Sequence, residues 1–321
     1  MSNISEYEYA KMLYIKGYLP GPIKCSCGSN HFDIQKFSQN KTNNCCFRCL
    51  NNNCRKPHPI VTNSFFSKFS YNSLQVISEI IKCFICKEIN AEKTYLYLKQ
   101  EKQITITKEL IMRVYKEIRD VIYRYLRLLY GSESLEEANH IDYYSIDESL
   151  FGHRNNKQIW ILGAINNRTK DFRLEAVLSR DSETLKDFIT TYVPRGSNIV
   201  TDSWMGYHFL DYPNSGYIHY SHNHGAGAFG IGMQSTAHIE SIWGILKHKI
   251  KSTYNVIPSK NIIHFIREAE YKHKLRNKSY DEKISDFFEC WKLLIDLKDV
   301  EIIKSDFLTD SADEDDLEEE F

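Results

Sequence analysis

The chain of 321 residues is 42% hydrophobic and 26% charged, an ordinary balance for a folded globular protein that excludes a wholly disordered or fibrous chain. Its net charge of −1 hides an asymmetry. Nine acids and no Lys or Arg lie from Asp306 onward, so residues 1–305 carry 41 basic against 33 acidic groups, a net of +8. That body suits phosphate binding, and the acidic stretch from Asp306 to Phe321 is expected to be disordered.

No basic N-terminal segment precedes an apolar run. The most apolar helical stretch, Leu74 to Cys86, is broken by Glu79 and Lys82 and is too short for a bilayer. The expected location is intracellular, nuclear in a eukaryote and otherwise cytoplasmic, without a membrane partner. The nine cysteines are then thiols or metal ligands rather than disulfides.

In chain order, residues 1–22 predict a short helix stopped by Leu19-Pro20-Gly21-Pro22. Cys25-Ser26-Cys27 follows, and about twenty residues later come Cys45-Cys46-Phe47-Arg48-Cys49 and Cys54. Two thiol knuckles separated by a hairpin-length insert are what a zinc ribbon needs, because the metal closes a module too small for its own core. The preferred ligands of this structural Zn²⁺ are Cys25, Cys27, Cys49 and Cys54, with Cys46 as a substitute, and the ribbon is placed in residues 1–70. Cys83 and Cys86 read as packing thiols. Residues 71–135 read as helical, with Asn90 and Thr107 as caps. Lys108, Arg113 and Lys116 on the last helix allow a helix-turn-helix-like module that reads DNA. A plain helical linker or a dimerisation bundle fits the same pattern.

From His140 the periodicity changes. Ile141–Leu150, Gln158–Asn166 and Phe172–Leu178 predict strands, with a turn at Asn155-Asn156. A helix capped by Asp181 or Ser182 runs to Tyr192, a strand ends at Asp202, and helices follow. This order predicts a mixed α/β sheet of ribonuclease H-like fold over residues 136–257. The helices in 258–305 are expected to pack on that domain or on a second protomer.

Asp147, Asp202 and Glu240 come from strand ends and a helix, and carboxylates from separate elements suit Mg²⁺ (or Mn²⁺). Each also has a plain reading, as a strand-end acid, a helix cap and a surface acid. His222 and His224 precede the glycine-rich run Gly225 to Gly232 and read as loop residues, either phosphate contacts or ordinary histidines. Lys247, Lys249 and Lys251, with His248, follow Glu240 as phosphate contacts or as a solvated helix face.

Several motifs fall in one order: Ile146-Asp147-Glu148-Ser149, Trp160 to Ile165, Thr201-Asp202-Ser203-Trp204-Met205-Gly206-Tyr207, His222-Asn223-His224, and Ile239-Glu240-Ser241-Ile242-Trp243-Gly244-Ile245-Leu246-Lys247. Together with Phe47-Arg48-Cys49, Cys54-Arg55-Lys56 and Ser64-Phe65-Phe66, this sequence resembles the DDE transposases of the Merlin superfamily and the ISXO-like insertion sequences, over roughly residues 23–257. Ser235-Thr236 stands where that family usually has a His-Thr pair. The resemblance implies that Asp147, Asp202 and Glu240 are catalytic acids holding two Mg²⁺ ions. It also implies an enzyme that cleaves double-stranded DNA at terminal inverted repeats and joins the 3′-hydroxyl to target DNA, working as a homodimer or higher oligomer. The competing expectations are a domesticated DNA-binding protein that no longer cuts and a ribonuclease H-like nuclease.

Overall fold

The structure, a computed structural model, describes residues 4–40, 42–132, 142–154, 157–222, 232–254 and 262–296. His224, the glycine-rich run 225–231, the Asn155-Asn156 turn and the acidic stretch from Asp306 lie outside them. The chain divides into two compact units, Met1–Ile118 with Lys278–Ile295, and Arg119–Asn277 with Asp296–Phe321. Among the described residues no helix is long and apolar enough to cross a membrane.

The first unit opens with α1 (Glu6–Ile15). Ser5 caps it in a reciprocal box with Glu8, the Glu8 N–H donating to Ser5 Oγ and the Ser5 N–H to Glu8 Oε2. A small antiparallel sheet follows, β1 (Phe32–Lys36), β2 (Cys45–Cys49) and β3 (Pro57–Pro59), with β2 in the middle. Then come α2 (Leu74–Ile85), α3 (Ala91–Leu96) and the start of α4 (Lys108–Ser132), which belongs to the second unit from Arg119 on. Ser73, Asn90 and Thr107 accept N–H groups of the first turns of these helices. Cys83 and Cys86 are buried core thiols.

One element of this unit arrives from far along the sequence. In α8 (Tyr280–Asp296), Phe288 stacks on Tyr18 at 4.0 Å and Phe287 meets Phe65 edge-on at 5.3 Å. α7 (Ile262–Lys274) packs on the five-stranded sheet of the second unit, through Ile262, Phe265 and Ile266. α8 belongs to the first unit, and its aromatic face contributes to that unit's core.

The second unit is built on five strands in the order β6-β5-β4-β7-β8. β4 (Tyr143–Arg154), β5 (Lys157–Asn166) and β6 (Phe172–Val177) form an antiparallel meander, and β7 (Asn198–Asp202) and β8 (Ile218–His222) add in parallel on the other edge of β4. Alternation along the strands sends Ile146, Leu162 and Ile199 to one face, under α5 (Ser182–Tyr192, capped by Asp181). It sends Ile161, Ile165 and Leu174 to the other, under α6 (Ala237–Tyr254) and α7. β8 is absent from the sequence expectations, and His222 is its last residue rather than part of a loop.

α7 also brings charge into the interior. Glu268 is buried and paired with Lys272 and with Arg119 at 2.5 and 2.7 Å. Burial alone would raise its carboxyl, but Lys272, Arg119 and Lys249 outweigh that and hold it down at about 2, against 4.5 ordinarily. A depressed acid contributes stability above its unfolded pKa and loses it as pH falls toward the folded value. Glu268→Gln is therefore expected to cost roughly 3–5 kcal/mol at neutral pH, since it removes the buried charge that faces Lys272 and Arg119. The gap in melting temperature from the parent protein should close between pH 4.5 and 2. A gap independent of pH would show that the charge is not what matters.

Candidate functional site

The cysteine group forms from two tight turns and one strand end. Gly28, at φ +90°, lets its N–H return to the Cys25 carbonyl at 2.9 Å, and the Cys54 N–H closes on the Asn51 carbonyl at 3.0 Å. Cys49 ends β2. The result is that Cys25, Cys27, Cys49 and Cys54 place their sulfurs within 4.8 Å of one another, a grouping of metal-ligand type that no other described residues form. Cys25 and Cys54 lie 3.7 Å apart and Cys27 and Cys49 3.6 Å apart. Four sulfurs about 2.3 Å from a central zinc sit on a tetrahedron with edges of roughly 3.8 Å, so the donor set fits that ion. His58 Nε2 lies 3.3 Å from Cys25 Sγ and Asn51 Nδ2 donates to Cys27 Sγ, polar support of the kind that orients metal ligands. The backbone N–H of Cys27 leads a set of hydrogen bonds that pulls the Cys25 thiol down to about 5. Cys46, the alternative ligand, is instead buried in β2, and burial pushes its thiol up.

On the helical module, Lys108 pairs with Glu92 and lies 5.2 Å from the Tyr95 ring, Arg113 lies over Phe69, and Lys116 is exposed.

The three acids are all placed in the second unit. Asp147 lies on β4 opposite Gly163 of β5, on the face covered by α6. The Trp243 indole N–H donates to Asp147 Oδ2 at 2.8 Å, which ties the helix to the strand. Burial pushes the Asp147 carboxyl up to about 7; the Trp243 bond opposes this, and the charges of Glu148 and Asp202 add to it. Asp202 ends β7 and accepts the Trp204 N–H at 2.9 Å, a bond in the turn before the helix Met205–Asp211, whose N-cap is Trp204 and not Asp202, so Asp202 is not the cap of that helix. Glu240 is in the first turn of α6 and accepts from Thr236 Oγ1 at 3.0 Å. The segment before α6 is pinned across the sheet by Ser145 Oγ, which donates to the Ser235 carbonyl, and by Asn167 Nδ2, which donates to the Met233 carbonyl. Asp147, Asp202 and Glu240 are not drawn as close together as the four sulfurs are.

Gly163 is the contact point of α6. A Cβ there would come 2.6 Å from Trp243 and 2.8 Å from Ile239. Gly163→Ala is therefore expected to lower stability by about 1–3 kcal/mol through overpacking and to break the Trp243–Asp147 bond, which thermal unfolding and indole fluorescence would read. An unchanged melting temperature would show that α6 can ride outward without loss.

Of the basic residues after Glu240, Lys247 and His248 are exposed, while Lys249 is half-buried and turned toward Glu268. Lys251 is on α6, with its side chain outside the described residues. His222 stands beside Asp202 in the parallel register, and its Nε2 is buried without a hydrogen-bond partner among the described residues.

One network escaped the sequence reading. Glu148, on the face of β4 opposite Asp147, accepts from Arg180 Nη1 at 2.8 Å and from Tyr207 Oη at 2.6 Å. The Arg180 guanidinium lies 4.3 Å from both the Trp160 and the Trp204 rings. The available signal was the Asp-Glu pair itself, since alternation must send the second acid to the far side of the sheet.

Residues 139–274 match the ISXO2-like transposase domain. No curated protein matches the chain. Among solved structures, the chain is similar to one in the cryoEM structure of a simian T-cell lymphotropic virus intasome in complex with the PP2A regulatory subunit B56 gamma. The identity is 11%, the match covers 60% of this chain and 65% of that one, and the TM-score is 0.34.

Proposed function

We propose that this chain, whose residues 139–274 form an ISXO2-like transposase domain, is a DNA transposase that cleaves element ends and joins the exposed 3′-hydroxyl to target DNA. The observation that carries this reading is the half-buried Asp147 on the α6 side of β4, with its carboxyl pushed up to about 7 by desolvation. It is held by Trp243 of the helix that also bears Glu240 and sits within electrostatic reach of Asp202. An acid kept in so costly an environment fits a site built to receive a cation. The meander of three antiparallel strands followed by two parallel ones supports a ribonuclease H-like reading of the sheet.

In this proposal Asp147, Asp202 and Glu240 hold Mg²⁺ (or Mn²⁺). Such ions, when bound, polarise the phosphoryl oxygen and make a hydroxyl nucleophile available at neutral pH. The protein's own part is positional. Trp243 fixes the orientation of Asp147, Thr236 that of Glu240, and the Ser145–Asn167 bonds fix where α6 begins. Lys247, which is exposed, would meet the phosphate backbone. The zinc ribbon, organised by Cys25, Cys27, Cys49 and Cys54, and the helical module with Lys108, Arg113 and Lys116 bind the terminal inverted repeats. Paired ends call for a homodimer or higher oligomer.

The test is an in vitro cleavage and strand-transfer assay on DNA carrying the repeats that flank the coding region, with Mg²⁺. Cleavage at the repeat ends followed by joining is the expected result. Binding without cleavage would replace this function with that of a DNA-binding protein, and cleavage without joining with that of a nuclease.

A further inference from the structure

Trp204 stands two residues beyond Asp202 and leaves 39% of its surface in water. It is nonetheless rigidly seated. Asp202 accepts its backbone N–H, and its indole edge fills the space where a Cβ on Gly206 would stand, 2.6 Å from Nε1. The Arg180 guanidinium lies 4.3 Å from the ring and equally far from Trp160. That guanidinium cannot swing away, because Glu148, whose side chain is 3% exposed, holds it at 2.8 Å and is itself held by Tyr207. An indole fixed for core packing alone would be buried, as Trp243 is. Trp204 instead presents a fixed aromatic surface to solvent, next to Asp202 through its backbone and on the Glu148 side of β4.

We propose that Trp204 is a stacking platform for a nucleobase adjoining the phosphodiester on which Asp147, Asp202 and Glu240 act. This rests on the phosphodiester reading of those acids. Base–aromatic stacking is sequence-tolerant, since every base has a π-face. A paired base in a duplex has both faces covered by its neighbours, so the ligand is an unpaired nucleotide, and the end DNA must be locally opened at the cut. Opening costs least where a base is already unpaired or mismatched. Arg180 is engaged by Glu148 and two rings, so its role is to hold Trp204 in place rather than to bind phosphate.

The experiment uses the full chain and repeat-end DNA with 2-aminopurine placed in turn at each nucleotide flanking the cut, read by fluorescence without divalent cation. Binding is expected to quench the probe at one position in the parent protein and in Trp204→Phe, and to leave it bright in Trp204→Leu. A single unpaired nucleotide at that position should tighten binding by the parent protein, and Trp204→Leu should weaken binding to this DNA about 10-fold. Equal melting temperatures establish that the Leu variant is folded. If it is not, the parent protein decides alone, since binding without quenching at any position overturns the proposal. Quenching that persists in a folded Trp204→Leu overturns it as well. The function and the platform fail separately: an absence of Mg²⁺-dependent cleavage with position-specific quenching removes the transposase, whereas normal cleavage without quenching removes the platform.

Discussion

Glu240→Gln is expected to abolish Mg²⁺-dependent strand cleavage while leaving binding to the repeat DNA largely intact. The substitution keeps the side-chain volume and the oxygen that accepts from Thr236, so α6 should start where it does now. What is lost is the negative charge. Charge stabilisation by a bound cation is worth several kcal/mol in a phosphoryl transition state, and each 1.36 kcal/mol is a factor of ten in rate, so the loss should reach about 1,000-fold or more. Paired measurements of cleavage rate and gel-shift affinity separate this from misfolding. A Gln variant that cuts at the parent rate would remove Glu240 from the metal site and return it to a surface acid on α6.

Removing zinc should have the largest effect on the first unit. Structural zinc supplies on the order of 10–16 kcal/mol of apparent binding free energy in small modules that lack a core. Chelation, or Cys49→Ser, is therefore expected to unfold the ribbon and expose it to protease, with loss of specific end binding. Cys49 is the informative position, because it closes the group against Cys27 at 3.6 Å and ends the central strand of the small sheet. Metal analysis should find one zinc per chain, and a metal-free ribbon that resists protease would refute the assignment. Cys46→Ser, at a buried strand position outside the sulfur group, should retain the metal.

Much of this was legible because the relevant residues act locally. Asn90, Thr107 and Asp181 announce helix starts by accepting nearby N–H groups, and the knuckles at Cys25 and Cys54 are tight turns marked by Gly28 and by the Asn51-Asn52-Asn53 run. β8 was not legible. Ile218-His219-Tyr220-Ser221-His222 has no apolar run, its two ends are polar or exposed, and it exists because β7 offers it an edge. The burial of the α7 charges was not legible for a different reason. Arg267, Glu268, Glu270 and Lys272 look like a solvated face, and only the partners Arg119 and Glu175, distant in sequence, make their burial tolerable. Asp202 was half legible: its side chain does accept a nearby N–H, but that of Trp204 in the turn and not one in the helix that follows, which starts at Met205 without a side-chain cap.

The placement of α8 sets a schedule for synthesis. When a ribosome has released Ile118, the first unit still lacks Phe287 and Phe288, which pack on Tyr18, Phe65 and Phe66. About 170 further residues must be made before they arrive, roughly 10–30 s at ordinary elongation rates. The second unit can collapse in that interval while the first waits with its aromatic core uncovered, a natural substrate for chaperones. A chain truncated anywhere before α8 is therefore expected to leave Tyr18, Phe65 and Phe66 without their aromatic partners.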